Sequence, residues 1–478
     1  MQKRNVQADT VPEALWPQVS EFIATHTGLH FPQERRDDLQ RGLADAAAEL
    51  GFQDVGTCAR WLISAEPTRP QLDTLASHLT IGETYFFRER KAFEALAARI
   101  LPALIQTRRG AEQRLRLWSA ACSTGEEAYS LAILVQQVLP DWRNWRVSIL
   151  GTDINNRFLK KAVAGVYGDW SFRDCAPDFR ERYFTQTAER RYSVLPEVRS
   201  CVRFAQMNLA QDGFPSLATD TNAMDIVFCR NMLIYFAPSQ ATALVEKLRH
   251  ALVEDGWLAV SPSECSQTLF SRFQAVNFPG AVLYQKKHQI EGVARSDPAP
   301  VSTPPEPAQL YYLGEYAQAA DSLIAAMEPA EAAEAAPRRT TQPQDFALLT
   351  RSLANEGRLD DALAWSERWI AADKLDPVAH YLNAMVMQEL GNRELARRSL
   401  QRAIYLQPDF ALAHFSLGNL AERGTGMNRH FENALGLLSG RPADEVVPES
   451  DGLTAGRLRE IIVALSPARA SACETTER

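Results

Sequence analysis

Two adjacent carboxylates, Glu126 and Glu127, follow Gly125 where an apolar run, Leu115 to Ala120, gives way to helical spacing from Tyr129 to Val138. Strand-loop-helix turns that hold dinucleotides need several glycines, so that backbone amides and the positive helix end can cradle a pyrophosphate. This turn, Ala121-Cys122-Ser123-Thr124-Gly125-Glu126-Glu127, has one glycine and two acids that repel phosphate. It suits a cationic ligand instead. S-Adenosylmethionine carries a sulfonium and an ammonium and no phosphate, and a carboxylate here attracts it. Acids in a first helical turn also complement the helix dipole with no ligand present, so both readings stand at this point.

The next strand-like run, Arg146 to Asp153, ends in an acid 28 positions after Gly125. An acid there can hold ribose hydroxyls; Asp153 can equally act as N-cap of the helical stretch through Ala164. Two further runs, Val202 to Leu209 and Asp225 to Phe236, carry Asn208 and Asn231 toward their ends. In open α/β sheets ligands gather at the carboxyl ends of the strands.

The chain resembles the CheR family, the bacterial chemoreceptor glutamate methyltransferases, in four motifs that occur in order. They are Leu79-Thr80-Ile81-Gly82-Glu83-Thr84-Tyr85-Phe86-Phe87-Arg88-Glu89, Ser123-Thr124-Gly125-Glu126-Glu127, Gly151-Thr152-Asp153-Ile154, and Phe228-Cys229-Arg230-Asn231-Met232-Leu233-Ile234-Tyr235-Phe236. The resemblance covers residues 10–288. It implies an S-adenosylmethionine-dependent enzyme, releasing S-adenosylhomocysteine, that esterifies glutamate side chains on the cytoplasmic helical domain of chemoreceptors. Carried over, it places Gly82, Thr84 and Arg88 at the cofactor's methionine part, one of Glu126 and Glu127 at its amino group, and Asp153 at its ribose. Asn208-Leu209 and Asn231-Met232 border the adenosine and the methyl donor. The family usually has Asn at the position of Gly82. A repeat domain after the enzyme also resembles methyltransferases of alternative chemosensory pathways.

A glutamate carboxylate is already an anionic nucleophile, so methyl transfer to it needs orientation and desolvation rather than a strong base. Tyr235 and Arg88 are assigned to orient the incoming carboxylate or the cofactor. The alternatives are an aromatic packed under a strand end for Tyr235, and a surface ion pair with Glu89 or Glu94 for Arg88. Cys122 and Cys229 lie beside the motifs without a histidine partner and read as small core residues. Eight histidines and seven cysteines show no paired spacing of the kind metal sites use. The competing functions are a degenerate methyltransferase serving as a scaffold, and methylation of a carboxylate that is not on a receptor.

The elements that must position these residues follow from periodicity. Amphipathic stretches at Trp16 to Thr25, Pro32 to Leu50, Val55 to Ser64 and Arg69 to Leu79 predict an N-terminal helical domain, 10–85. Arg35, Arg36 and Arg41 form either a basic face toward an acidic substrate or a solvated face balanced by Glu34, Asp37 and Asp38. Strands and helices alternate from Arg114 to Ser261, and Phe273 to Lys286 reads as an antiparallel hairpin, so 86–288 is an α/β, Rossmann-like methyltransferase domain. Short β pieces over 182–203 correspond to the family's β subdomain, with which some members grip a receptor pentapeptide. Its connection, Thr185 to Arg190, is short and lacks glycine, so pentapeptide-independent action is expected.

Prolines mark a linker over 289–308. A period of 34 follows, aligning Pro343 with Pro377, Ala347 with Tyr381 and Phe415, Gly357 with Gly391, and Ala362 with Ala396. This resembles tetratricopeptide repeats over 309–440, with a partial unit at Leu310 to Ala320 and a spacer ending near Gln342. Such an array offers a surface for an unidentified protein partner. A tail, 441–478, is expected to be loose apart from a helix near Leu453 to Leu465. A net charge of −8 argues against general nucleic-acid binding. Free thiols and the lack of a long apolar run fit a cytoplasmic enzyme with no direct membrane insertion.

Overall fold

The computed structural model describes residues 10–110, 112–176, 178–187, 190–287, 306–328, 342–421 and 425–465. They form two compact units. The first comprises Met1–Asp212, Asp225–Glu246 and Trp257–Lys286; the second comprises Gly213–Met224, Lys247–Gly256 and Lys287–Arg478.

The first unit opens with the four expected helices, Trp16–Thr27, Arg36–Glu49, Val55–Ser64 and Arg69–Leu79. Three of them have a clear local signal at one end. Gly28 ends the first at φ +79°, Asp54 caps the third by accepting the Thr57 amide at 2.6 Å, and Thr68 with Gln71 forms a capping box on the fourth. Val19, Ile23, Leu39, Leu43, Leu62 and Leu75 face one another in a fully buried core. The three arginines of the second helical region each find a carboxylate partner. Arg36 bonds Glu13 at 2.7 Å, Arg41 bonds Asp38 at 2.5 Å, and Arg35 reaches Asp38 at 3.4 Å. Asp38 serves two of them and Glu13, outside the expected set, serves the third, which makes two carboxylates for three arginines.

Ten strands follow: β1 Arg114–Ala120, β2 Arg146–Asp153, β3 Val166–Tyr167, β4 Phe184–Gln186, β5 Tyr192–Val194, β6 Val202–Gln206, β7 Met224–Cys229, β8 Leu252–Ala259, β9 Gln274–Phe278 and β10 Ala281–Gln285. Seven make one sheet in the order β6-β2-β1-β7-β8-β10-β9. Pairings β6-β2, β2-β1 and β1-β7 are parallel, and β10 pairs antiparallel with β8 and β9, so the expected closing hairpin is present. β1 is buried along its whole length, as a central strand covered on both faces must be. The run 225–236 is strand only to Cys229; the chain then turns at Asn231 and forms a single helical turn, Leu233–Tyr235.

The small sheet β3-β5-β4 is antiparallel, and its first strand lies upstream of the expected 182–203 segment. Phe86, Phe172, Phe179 and Phe184 pack at its base with ring centroids 4.9 to 6.3 Å apart. At the β4-β5 connection Thr187 donates its amide to Arg191 at 2.6 Å.

In the second unit the helices pair as Pro307–Tyr312 with Tyr316–Met327, Pro343–Glu356 with Leu359–Ala372, Pro377–Glu389 with Arg393–Leu406, and Ala411–Leu420 with Thr425–Ser439. The period of 34 has a physical content here. Pro343 and Pro377 each start a helix, and Gly357 and Gly391 leave one at φ +86° and +81°. Ala362 and Ala396 are fully buried, and Tyr381 and Phe415, which align with the smaller Ala347, are buried with it. Arg249, itself buried, donates to Glu315 at 2.9 Å within this unit.

One expectation fails. Residues 442–454 are not a loose tail: Val446 and Thr454 bridge antiparallel, Val447 and Leu453 join the repeat core, and Arg351 pairs with Glu449 and Asp451. Apolar burial at two positions and a buried guanidinium outweigh the polar composition. The helix Ala455–Leu465 follows. Most of the linker 289–308, the spacer before Gln342 and the residues after 465 lie outside the described residues. No described helix is long and apolar enough to cross a membrane.

Candidate functional site

β1 delivers the chain into a turn whose backbone is left-handed at Ala121, Ser123 and Gly125, with φ of 63°, 51° and 95°. Gly125 is required twice over. Its φ favours glycine, and a Cβ there would lie 2.7 Å from the Ala162 side chain. The helix Glu126–Val138 then sends its first two acids in different directions. Glu126 is buried against Thr124 and Ser171, accepting their hydroxyls at 2.6 and 2.9 Å, and is not on the wall of the cavity beside the turn. Glu127 is on that wall, accepting the Ser119 hydroxyl at 2.7 Å and pairing with Arg230 at 3.2 Å. Burial pushes both carboxyls up from the usual range.

Asp153 closes β2. Its carboxylate accepts the Ser123 and Asn155 amides, each at 2.8 Å, yet burial prevails and holds it at about 6. The N-cap role belongs to Asn155, which accepts the Arg157 amide at 2.9 Å. Asp153 is therefore free of that duty and stands on the cavity wall.

The cavity measures about 370 Å³. Beyond Glu127 and Asp153 its wall includes Thr84, Arg88, Asn208, Leu209, Asn231, Met232 and Tyr235, so most of the expected residues converge. Gly82 does not reach the wall. It backs onto Phe158, where a Cβ would fall 2.6 Å from the ring. Arg88 donates to the Glu83 carbonyl; its proposed partners Glu89 and Glu94 are bonded to Arg230 and Lys91 instead. The Asn208 side chain is spent internally, donating to the His26 carbonyl at 2.6 Å and accepting the Ala210 amide at 3.0 Å. Tyr235 packs its ring under Arg35, with 4.9 Å between guanidinium and centroid.

Arg230 escaped sequence reasoning. It donates to Glu89 at 2.8 Å and to Glu127 at 3.2 Å, and its side chain is 1 % exposed. The signal was available: an arginine directly after a buried strand must find carboxylates, and Glu89 and Glu127 both lie in the motifs. Ser123, Thr27 and Leu29 also joined the wall unforeseen. Burial pushes the Cys122 and Cys229 thiols far up, as suits core residues.

The wall fits S-adenosylmethionine. Glu127 and Asp153 supply anions for an ammonium and for hydroxyl groups, and the Ser123 hydroxyl is buried without a hydrogen-bond partner. Leu79, Ile154, Phe158, Met207, Leu209 and Phe236 supply apolar surface for an adenine. Among the described residues no cluster of histidine, cysteine and acid could hold a metal ion.

Comparison with known proteins agrees with this geometry. The family described as "CheR methyltransferase, SAM binding domain" matches residues 82–281. The chain is 29% identical over 280 residues to "Chemotaxis protein methyltransferase 2" of Vibrio cholerae, covering 58% of this chain and 94% of that one. It is 35% identical over 213 residues to "Chemotaxis protein methyltransferase 1" of Pseudomonas aeruginosa, covering 44% and 75%. With "Probable biofilm formation methyltransferase WspC" of the same organism it shares 31% over 373 residues, covering 74% and 83%.

Proposed function

The chain belongs to the CheR methyltransferase family, and from that membership we propose that it methylates glutamate side chains on the cytoplasmic helices of chemoreceptors. The observation that carries this reading is the pairing of Glu127 and Asp153 on one wall of a cavity that also holds Arg88 and Tyr235. S-Adenosylmethionine, when bound, supplies an electrophilic methyl group. Glu127 holds its ammonium, Asp153 its ribose hydroxyls and Arg88 its carboxylate, while Leu209 and Met232 border the adenosine.

The incoming glutamate is ionised at neutral pH, and among the described residues no histidine lies on the cavity wall to serve as a base. What these residues provide is alignment. Tyr235 orients the substrate carboxylate by hydrogen bond, and the apolar wall excludes water from it. Effective molarities of about 10⁵ to 10⁸ M make such alignment sufficient for much of the rate. The short β4-β5 connection supports action without a pentapeptide tether, and the repeat unit serves a protein partner. The setting consistent with all of this is the cytoplasm.

The test is methyl transfer from labelled S-adenosylmethionine to cytoplasmic receptor fragments of the same organism, scored as alkali-labile methanol. Label on a receptor, lost on Asp153→Ala, is expected. Cofactor binding without label on any fragment would overturn the substrate assignment.

A further inference from the structure

After β7 the chain reverses at Asn231, a non-glycine residue at φ +56°, and runs through Met232 into the turn Leu233–Tyr235. Such a reversal strips backbone amides of ladder and helix partners, and buried amides must be paired. Three of them are paired by one side chain. Glu264 accepts the Asn231 amide on Oε2 at 2.8 Å, and the Met232 and Ile234 amides on Oε1 at 2.6 and 3.4 Å. The same carboxylate accepts the Ser261 amide at 3.0 Å and its hydroxyl at 2.7 Å, closing a capping box on the turn Pro262–Glu264. Glu264 is 6 % exposed.

Glu264 is absent from the cavity wall, whereas Asn231, Met232 and Ile234 are all on it. We infer that Glu264 is a positioning residue for methyl transfer: its carboxylate fixes the 231–234 loop, and through that loop the placement of Asn231 and Met232 against the cofactor. Charged acceptors make the shorter and stronger hydrogen bonds to amides, which suits a carboxylate to holding a left-handed turn in place. A second anchor, the Asn231 amide group donating to Glu89 at 3.2 Å, holds the side chain while Glu264 holds the backbone. The inference rests on the reading of the cavity as the S-adenosylmethionine site.

Full-length Glu264→Gln keeps the size of the side chain but replaces one acceptor oxygen with a donor. Calorimetry with S-adenosylhomocysteine and single-turnover methyl transfer to a receptor fragment are the readouts. A misplacement of about 1 Å near the chemistry lowers the rate on the order of 100-fold, so a fall in kcat approaching that size is expected, with weaker cofactor binding and an unchanged KM for the receptor. Glu264→Asp, which retains the charge, should recover part of the loss. Ser261→Ala removes only the capping-box hydroxyl and should leave kcat unchanged. Equal loss of thermal stability in Glu264→Gln and Ser261→Ala, with kcat and cofactor affinity intact in both, would reduce Glu264 to a structural group. Should Glu264→Gln not fold, hydrogen exchange on the wild-type chain decides: the Asn231 and Met232 amides must be protected before cofactor is added, and rapid exchange overturns the inference. A wild-type chain that does not bind S-adenosylhomocysteine overturns the reading of the cavity and the positioning role together.

Discussion

Arg230 meets Glu127 at 3.2 Å and Glu89 at 2.8 Å, so one buried guanidinium serves two carboxylates contributed by different segments. Removing one partner of a buried ion pair costs about 3 to 5 kcal/mol, because the remaining charge is left uncompensated. Arg230→Met should therefore lower the stability of the first unit by that order in urea unfolding. A change under about 1 kcal/mol would mean that the carboxylates find water or other donors.

Glu126 and Glu127 should separate cleanly. Glu127→Gln is expected to weaken S-adenosylhomocysteine binding by about 1.5 to 3 kcal/mol, the worth of a charged hydrogen bond. Glu126→Gln should leave affinity near wild type and show its effect in thermal unfolding, because its partners are Thr124 and Ser171. The reverse outcome would move the ammonium site to Glu126.

Asp153 gives the site a pH signature. Its carboxyl is raised from 3.8 to about 6 by burial, so the folded chain binds a proton that the unfolded chain has already released. The stability linked to this group is complete below pH 4 and is lost as pH rises through about 6. With Asp153 in its proposed role, cofactor binding should have the opposite slope, since ribose hydroxyls donate to the ionised form. Affinity should fall about tenfold per pH unit below 6, and Asp153→Asn should flatten that profile. A flat profile in the wild-type chain would remove Asp153 from the ribose.

In the repeats, Tyr381 aligns with Phe415 in the 34-residue period and is 1 % exposed. Large-to-small changes of buried aromatic residues cost about 3 to 5 kcal/mol, so Tyr381→Ala should lower the midpoint of a calorimetric transition belonging to the second unit. An unaltered thermogram would contradict the packing at that position.

Titration with a receptor C-terminal pentapeptide should release no measurable heat. Binding in the micromolar range would show that the short β4-β5 connection still admits an added strand.

Much of this fold was legible because its local signals are strong. Helices Val55–Ser64 and Arg69–Leu79 and strand β2 have the limits their sequence implies, and Gly357 and Gly391 mark where repeat helices end. What stayed hidden depended on partners distant in the chain. Glu126 and Glu127 are neighbours in sequence and about 100° apart around a helix, so only Ser171 on one side and Arg230 on the other decide which faces the cavity. The 442–454 segment reads as polar and loose because the residue that orders it, Arg351, lies far upstream in the helix Pro343–Glu356. Gly82 belonged to a motif, yet it packs against the Phe158 ring, and Phe158 rather than Gly82 lines the cavity.

Ala121, Ser123 and Asn231 all stand on the cavity wall in the left-handed conformation, at φ of 63°, 51° and 56°. For Ala121 and Ser123 this conformation is disfavoured by about 1 to 2 kcal/mol relative to the right-handed form, whereas asparagine adopts it more readily. Glycine at Ala121 or Ser123 would relax the backbone and give a sturdier protein, while freeing the very turn that shapes the wall. Selection for thermal robustness and selection for turnover therefore pull in opposite directions at Ala121 and Ser123. A library screened only for stability should accumulate glycine there and lose methyl transfer as it does.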